Sequence, residues 1–307
     1  MENSSATSAA GPRPPTRALV ALGFAIIYVV WGSTYLGIRL AVATIPPFLM
    51  GGTRFLLAGV LLHAFLRLRG RAAPTWAELR EGALVGALLL LGGNGLVNWA
   101  EQVLPSGFTA LMVGATPIVF ALLEWILPPH HRPGRLTVAG LVLGTGGVAL
   151  LQAPGAGWTG SFPLGAMLAL AVASVSWALG SLRSKRNHGG SDPFMAASVQ
   201  MMAGGALQLV VGTALGEWTR FDPTAVTARS AFAWAYLVVV GSLIAFGTYI
   251  WLLRASTPAK VATYAYVNPV IAVLLGWAIA DEAVTWPMAL AAAVIVAGVV
   301  LITRAKK

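Results

Sequence analysis

From Ala18 onward the chain is a succession of apolar runs, separated by short segments that collect nearly all of its charge. Each run is about 20 residues long, the length at which an α-helix crosses the roughly 30 Å hydrocarbon core of a bilayer. Only 10% of the residues are charged, against about 25% for a soluble domain, so the chain lacks the means to cover a water-facing surface. An all-α, polytopic membrane protein follows. Its net charge of +10 suits anionic lipid headgroups better than nucleic acid, because the lysines and arginines sit in the short breaks between runs. The absence of cysteine removes disulfides, thiolate metal sites and thiol chemistry.

Cutting at the charged and Pro/Gly-rich breaks predicts ten spans: 18–43, 46–66, 79–101, 105–127, 134–152, 160–182, 193–215, 230–253, 257–280 and 285–303. Residues 1–17, rich in Ser, Ala and Pro, read as a disordered cytosolic tail. The first run is too long for a signal peptide and nine more follow it, so it is expected to be retained. With the N-terminus in the cytosol, 16 of the 20 basic residues fall in inner segments: Arg13 and Arg17; Arg67, Arg69, Arg71 and Arg80; Arg132 and Arg135; Arg183, Lys185 and Arg186; Arg254 and Lys260; Arg304, Lys306 and Lys307. Asp281 and Glu282 then mark an outer end. Both termini are expected in the cytosol.

The chain also resembles itself. At an offset of 152, Gly95 meets Gly247, Trp99 meets Trp251, Pro117 meets Pro269 and Trp125 meets Trp277. At an offset of 146, Trp31 meets Trp177, Pro47 meets Pro193 and Gly59 meets Gly205. Two units follow, 18–152 and 160–303, each with five spans. An odd number of spans turns the second unit upside down in the membrane, the arrangement of transporters whose halves rock about a midplane site.

Polar residues inside the runs are the candidates for that site. Arg54 lies deep in the second span, where a lone charge costs about 2.5–3.5 kcal/mol on insertion scales. It is either a structural arginine capping carbonyls of a broken helix or an anchor for a substrate carboxylate. Arg39 is close enough to the outer interface to snorkel. Asn94, Asn98 and Glu101 recur at helical spacing and are expected on one face, lining a helix contact or a cavity. Glu101 is the candidate proton carrier. Tyr264 and Asn268 share a face of the ninth span. Pro117 and Pro269 are expected to break their helices near mid-depth, a pointer to a transporter binding site. Trp31 and Trp177 lie too deep for an interfacial belt and belong either to dense packing or to the wall of an aromatic cavity. No G-x-x-x-x-G-K-[ST] loop is present, so ATP does not drive the protein directly. No cofactor or metal site is expected.

The stretches WGSTYLGIRLAV, GGTRFLLAG, GNGLVNWAEQVLPSGFTALMVGATPIV and STPAKVATYAYVNPVIAVLLGW resemble the EamA family of the drug/metabolite transporter superfamily, most of all its branch of bacterial inner-membrane exporters. The resemblance covers nearly the whole chain, from Trp31 to Gly298. It implies ten transmembrane helices as two inverted five-helix repeats and secondary export of small metabolites, typically amino acids or related amphiphiles. An exporter of lipophilic cations and, more remotely, a membrane enzyme acting on lipid intermediates are the alternatives; the deep arginine argues against the first and the repeat against the second. The expected partners are the bilayer and a small-molecule substrate, with protons as coupling ion and a homodimer left open.

Overall fold

The computed structural model describes residues 15–104, 109, 112–152, 163–186, 192–280 and 286–305. Among them all regular structure is helical. The main helices are α1 (Arg17–Val42), α2 (Pro47–Leu68), α3 (Trp76–Ala100), α4 (Thr116–Ile126), α5 (Arg135–Gln152), α6 (Leu164–Arg186), α7 (Pro193–Ala214), α8 (Ala228–Ala255), α9 (Tyr264–Ala280) and α10 (Trp286–Arg304). Six of them, α1, α2, α3, α6, α7 and α8, are long and apolar enough to cross a membrane; Met112–Ile126, Arg135–Leu150 and Ala289–Arg304 are shorter apolar helices. The expected tail, apart from its last residues, and Asp281 and Glu282 lie outside the described residues.

The helix ends follow from local chemistry, and the same chemistry recurs along the chain. α2 and α7 are both 22 residues long and both begin with Pro, at the turn whose N–H has no helical acceptor in any case. Both give way to a left-handed glycine, Gly70 (φ 76°) and Gly216 (φ 69°), 146 positions apart, where a side chain would be strained. α3 and α8 start on Thr75 and Thr227, whose hydroxyls accept the N–H of Glu78 and Ser230. Each of these two helices then widens into a π-helical segment, Ala87–Gly95 in α3 and Leu237–Phe246 in α8. Such segments are rare and cluster at functional sites. α2 has no side-chain cap of its own. Glu217, 4% exposed, supplies one from the far half of the chain, accepting the N–H of Phe48 at 3.3 Å and of Leu49 at 2.8 Å.

Packing crosses between the halves. α2 lies along α7, and α5 along α10. α1 packs on α8 and α9, while α6 packs on α3 and α4. In the α2–α7 seam a Cβ on Gly205 would stand 2.5 Å from the Leu56 nitrogen, and in the α5–α10 seam a Cβ on Gly298 would stand 2.7 Å from the Gly144 nitrogen. Close backbone approach of this kind is the main route to helix association where lipid competes with every apolar side chain. Leu22, Val142 and Phe232 point away from the bundle and are exposed, as lipid-facing apolar residues are.

The ninth span departs from expectation. It is interrupted at Ala262–Thr263, between a short helix Pro258–Val261 and α9, while Pro269 lies inside α9. At the interruption Thr263 Oγ1 donates to Lys260 O (2.6 Å) and bonds the Tyr28 hydroxyl (2.5 Å), so a side chain reinforces the tighter backbone bond that Thr263 N–H makes to the same carbonyl (3.3 Å). Pro117 occupies the first turn of α4 and the chain leaves helical geometry just before it, at Ala115. The interruption falls in the turn before Pro117, where the missing N–H and the ring leave the preceding backbone without its helical bond.

Candidate functional site

The two π-helical segments face a cavity of about 90 Å3. On α1 its lining runs from Trp31 through Tyr35 to Ile38, on α3 from Gly93 to Val97, and on α6 from Trp177 back to Ala173. The cavity therefore extends from mid-bundle toward the end that holds the C-termini of α1 and α3 and the N-terminus of α6. None of its described lining residues on α1 or α6 lies beyond Trp31 or Trp177 in the other direction.

Aromatic rings close that other direction. Trp31 meets Trp177 edge-on at 5.6 Å between centroids, Tyr264 edge-on at 4.6 Å, and Tyr249 at 4.9 Å. Tyr249 is fully buried beneath them. Its hydroxyl accepts the Trp177 Nε1–H at 2.9 Å and bonds Ser181 Oγ at 2.5 Å. Edge-to-face pairs of this kind add about 0.5–1.5 kcal/mol each beyond area burial, and the hydrogen bonds fix the orientation of the Trp177 ring. Trp31 and Trp177 thus both pack against each other and line the cavity. Tyr249 was missed because its repeat-offset position, Val97, is apolar.

Arg54 sits on the wall, 3% exposed. Nε donates to Ser242 Oγ at 2.8 Å, from the π segment of α8. Gly241 beside it leaves room for the guanidinium: a Cβ there would stand 3.0 Å from Nη2. Among the described residues no carboxylate pairs with Arg54, and Nη1 is buried without a hydrogen-bond partner. A buried charge left in that state is costly, which marks a place where something else is expected to bind. Asn268 shows the complementary condition. It lines the cavity, 3% exposed, with Oδ1 unpartnered. Thr34, Tyr35, Asn94, Thr116 and Ser174 are also among the polar lining, the last two joined at 3.2 Å.

Of the three polar residues expected on one face of α3, only Asn94 lines the cavity. Asn98 is fully buried and turned into the seam with α2 and α7, donating to Asn94 Oδ1 at 3.1 Å and lying close to Gly51. It buttresses the wall and does not form it. Glu101 caps the end of α3 outside the cavity lining. Both of its carboxylate oxygens are buried without hydrogen-bond partners, and Arg39 and Tyr35 are its charged and polar neighbours. The cavity follows the face of Gly93, Asn94 and Val97 and ends short of Glu101, while Asn98 stays bonded to Asn94 from the side of the seam.

Helices of spanning length, surrounding a polar cavity closed at one end, define a multi-pass membrane protein with the architecture of a small-molecule transporter. The sequence comparisons give the particular family. The model of the EamA-like transporter family matches residues 18–152 and again 164–304, and the chain belongs to that family. It is a transporter and not an enzyme. It is 40% identical over 284 residues to the "Uncharacterized inner membrane transporter YedA" of Escherichia coli K12, covering 91% of this chain and 89% of that one. It is also 28% identical over 298 residues to the "Uncharacterized transporter YvbV" of Bacillus subtilis, covering 96% and 94%. A solved structure titled only "Crystal structure of protein" superimposes with a TM-score of 0.76 at 23% identity, covering 94% of this chain and 97% of that one, a likeness of fold. The chain is a multi-pass protein of the inner membrane.

Proposed function

We propose that the protein is a secondary exporter of small zwitterionic or acidic amphiphiles, amino acids or close relatives, working by alternating access. The observation that carries this reading is the pairing of unmet groups on one cavity: a guanidinium donor at Arg54 Nη1 and an amide acceptor at Asn268 Oδ1. A carboxylate answers the first and an ammonium the second, while the aromatic floor takes an apolar side chain. Lipophilic cations fit poorly, because the buried guanidinium repels them and the 90 Å3 of free space is well below the usual 300–1,000 Å3 of drug-sized sites.

The chain in this reading is ten transmembrane helices in two inverted five-helix units, 18–152 and 160–303, with both termini cytosolic. Equal lengths and ends of α2 and α7, paired threonine caps and paired π segments support it. Reporter fusions at Gly157 and His188 should read outside and cytosolic respectively; the opposite pattern would remove the inversion. Glu101, desolvated and unpartnered, is the proposed proton carrier.

The substrate reading is tested with Arg54→Lys, which keeps the charge but loses the planar fork. Charge-assisted hydrogen bonds are worth about 1.5–3 kcal/mol, so affinity for an acid should fall about 10- to 150-fold while its methyl ester is unaffected. Equal loss for acid and ester with a lowered melting point would make Arg54 structural only.

A further inference from the structure

A second cavity, of about 390 Å3, lies toward the opposite end, between the N-terminal turns of α3 and α7 and beside the last turns of α6 and α8. Its acceptors are concentrated. Glu78 closes the Thr75 capping box, its Oε2 taking the Thr75 N–H at 2.7 Å. Glu81 receives a bidentate pair from Arg183, at 2.6 and 2.7 Å. At the deep end stands Gln200, 3% exposed, its Oε1 buried without a partner while Nε2 reaches Ser184 Oγ at 3.5 Å. Arg254, half-buried, stands on the same wall. The remainder of the lining, Val85, Met195 and Val199 among it, is apolar.

We propose that this cavity is a separate loading site for the primary ammonium of a zwitterionic amphiphile, with Gln200 Oε1 and the Glu81 carboxylate receiving the ammonium and Arg254 facing the carboxylate. The inference rests on the exporter reading and extends it: substrate is first held here, by its ammonium, at the end of the molecule opposite the Arg54 cavity. Acidic residues alone would not make a site, since both glutamates already have partners. The unmet oxygen of Gln200, buried on a residue that lines the cavity, is what calls for a donor from a ligand. A donor is favoured over an anion because the unmet atom is an acceptor, the Gln200 amide oxygen, with the carboxylates of Glu78 and Glu81 beside it; Arg183 already balances Glu81, and Arg254 is the one cation among the described residues lining the cavity.

The chain has no cysteine, so Ala196→Cys, on the cavity wall, supplies a unique thiol for alkylation by a maleimide. In nanodiscs of phosphatidylcholine, leucine at about ten times its Kd should slow alkylation about tenfold by mass action. Leucine methyl ester, which keeps the ammonium, should protect as well; N-acetyl-leucine, which lacks it, should not. Adding Gln200→Leu or, more conservatively, Glu81→Gln should abolish protection with the melting temperature retained, whereas Arg54→Lys should leave it intact. Equal protection by N-acetyl-leucine overturns the proposal, as does no protection by either amine. Protection that requires phosphatidylethanolamine assigns the site to a lipid headgroup and overturns the loading role. Loss of acid transport in Arg54→Lys with protection of the introduced thiol retained separates the two sites. Loss of the Arg54 effect with protection retained would fell the exporter reading alone.

Discussion

Arg54 and Gln200 occupy the same place in two helices of the same length, each the eighth residue of a 22-residue helix that opens Pro-Phe. Around them the two halves have been furnished differently. Arg54 is oriented by Ser242 and faces a small cavity floored with aromatic rings. Gln200 is neutral, rests against Ser184 and faces a larger cavity rimmed with carboxylates. The ends of the molecule differ in the same sense. At the Gln200 end, basic side chains of the last turn of α6 tie down their neighbours: Arg183 holds Glu81 of α3, Lys185 donates to the carbonyls of Leu253 and Ser256, and Arg186 donates to that of Pro128. Both described salt bridges, Arg183–Glu81 and Arg71–Asp192, are at this end. The two helices match in length and opening, and the chemistry around their eighth residues does not, so under the proposed exporter reading a substrate would meet unlike partners at the two ends.

The largest effect is expected where the shared arrangement itself is broken. Gly205→Leu forces a side chain into the backbone of α2 at Leu56, and the α2–α7 seam should open. Folded yield in detergent should collapse, whereas Gly146→Ala, where a Cβ meets nothing within 4 Å, should be silent. If Gly205→Leu folds normally, the seam is not what holds the halves together.

Arg54→Gln makes the two positions alike. Counterflow of a carboxylate substrate should fall about 10- to 150-fold, the equivalent of 1.5–3 kcal/mol, with little loss of thermal stability, since the unmet Nη1 is removed as well. A variant that instead melts much earlier would make the arginine a structural strut.

Two buried carboxylates offer a contrast of their own. Glu217 is satisfied by two backbone N–H groups and Glu101 by none. Glu217→Ala should cost about 1–3 kcal/mol of stability by stranding those donors and leave coupling unchanged. Glu101→Gln should do the reverse, abolishing proton-driven export while substrate counterflow survives. Melting curves and a paired flux assay read both, and a shared phenotype would erase the distinction.

The smallest effect belongs to the clamp. The Arg183–Glu81 pair is partly exposed, and exposed pairs are worth about 0.2–1 kcal/mol. Arg183→Gln should therefore lower the melting temperature by no more than about 4 °C. A larger drop would mean that the clamp, more than the aromatic floor, keeps that end shut.

Much of the molecule was written along the chain. Run length and charge spacing set most of the described helices to within a few residues, because desolvating a backbone leaves no alternative to helix in hydrocarbon; the fourth run, described as Thr116–Ile126, and the ninth, interrupted at Ala262–Thr263, depart from it. The recurrence of Trp, Pro and Gly at two offsets includes Pro47 and Pro193, which open helices of equal length, whereas Pro117 opens α4 and Pro269 lies inside α9. Arg54, Trp31, Trp177, Asn94, Tyr264 and Asn268 were legible as candidates because a polar or aromatic residue deep in an apolar run needs a reason to be there. What the linear pattern could not determine is where the register changes. The π segments Ala87–Gly95 and Leu237–Phe246 leave no mark in it, and neither does the turn of Asn98 into a seam or the place of Glu101 beyond the cavity. Tyr249 and Ser242 carry no signal along the chain, since each is defined by a partner from another helix, Trp177 and Arg54. A helical period is a local property of the backbone, whereas the face a residue finally presents is decided by which helices pack around it and where they leave a donor or acceptor unmet.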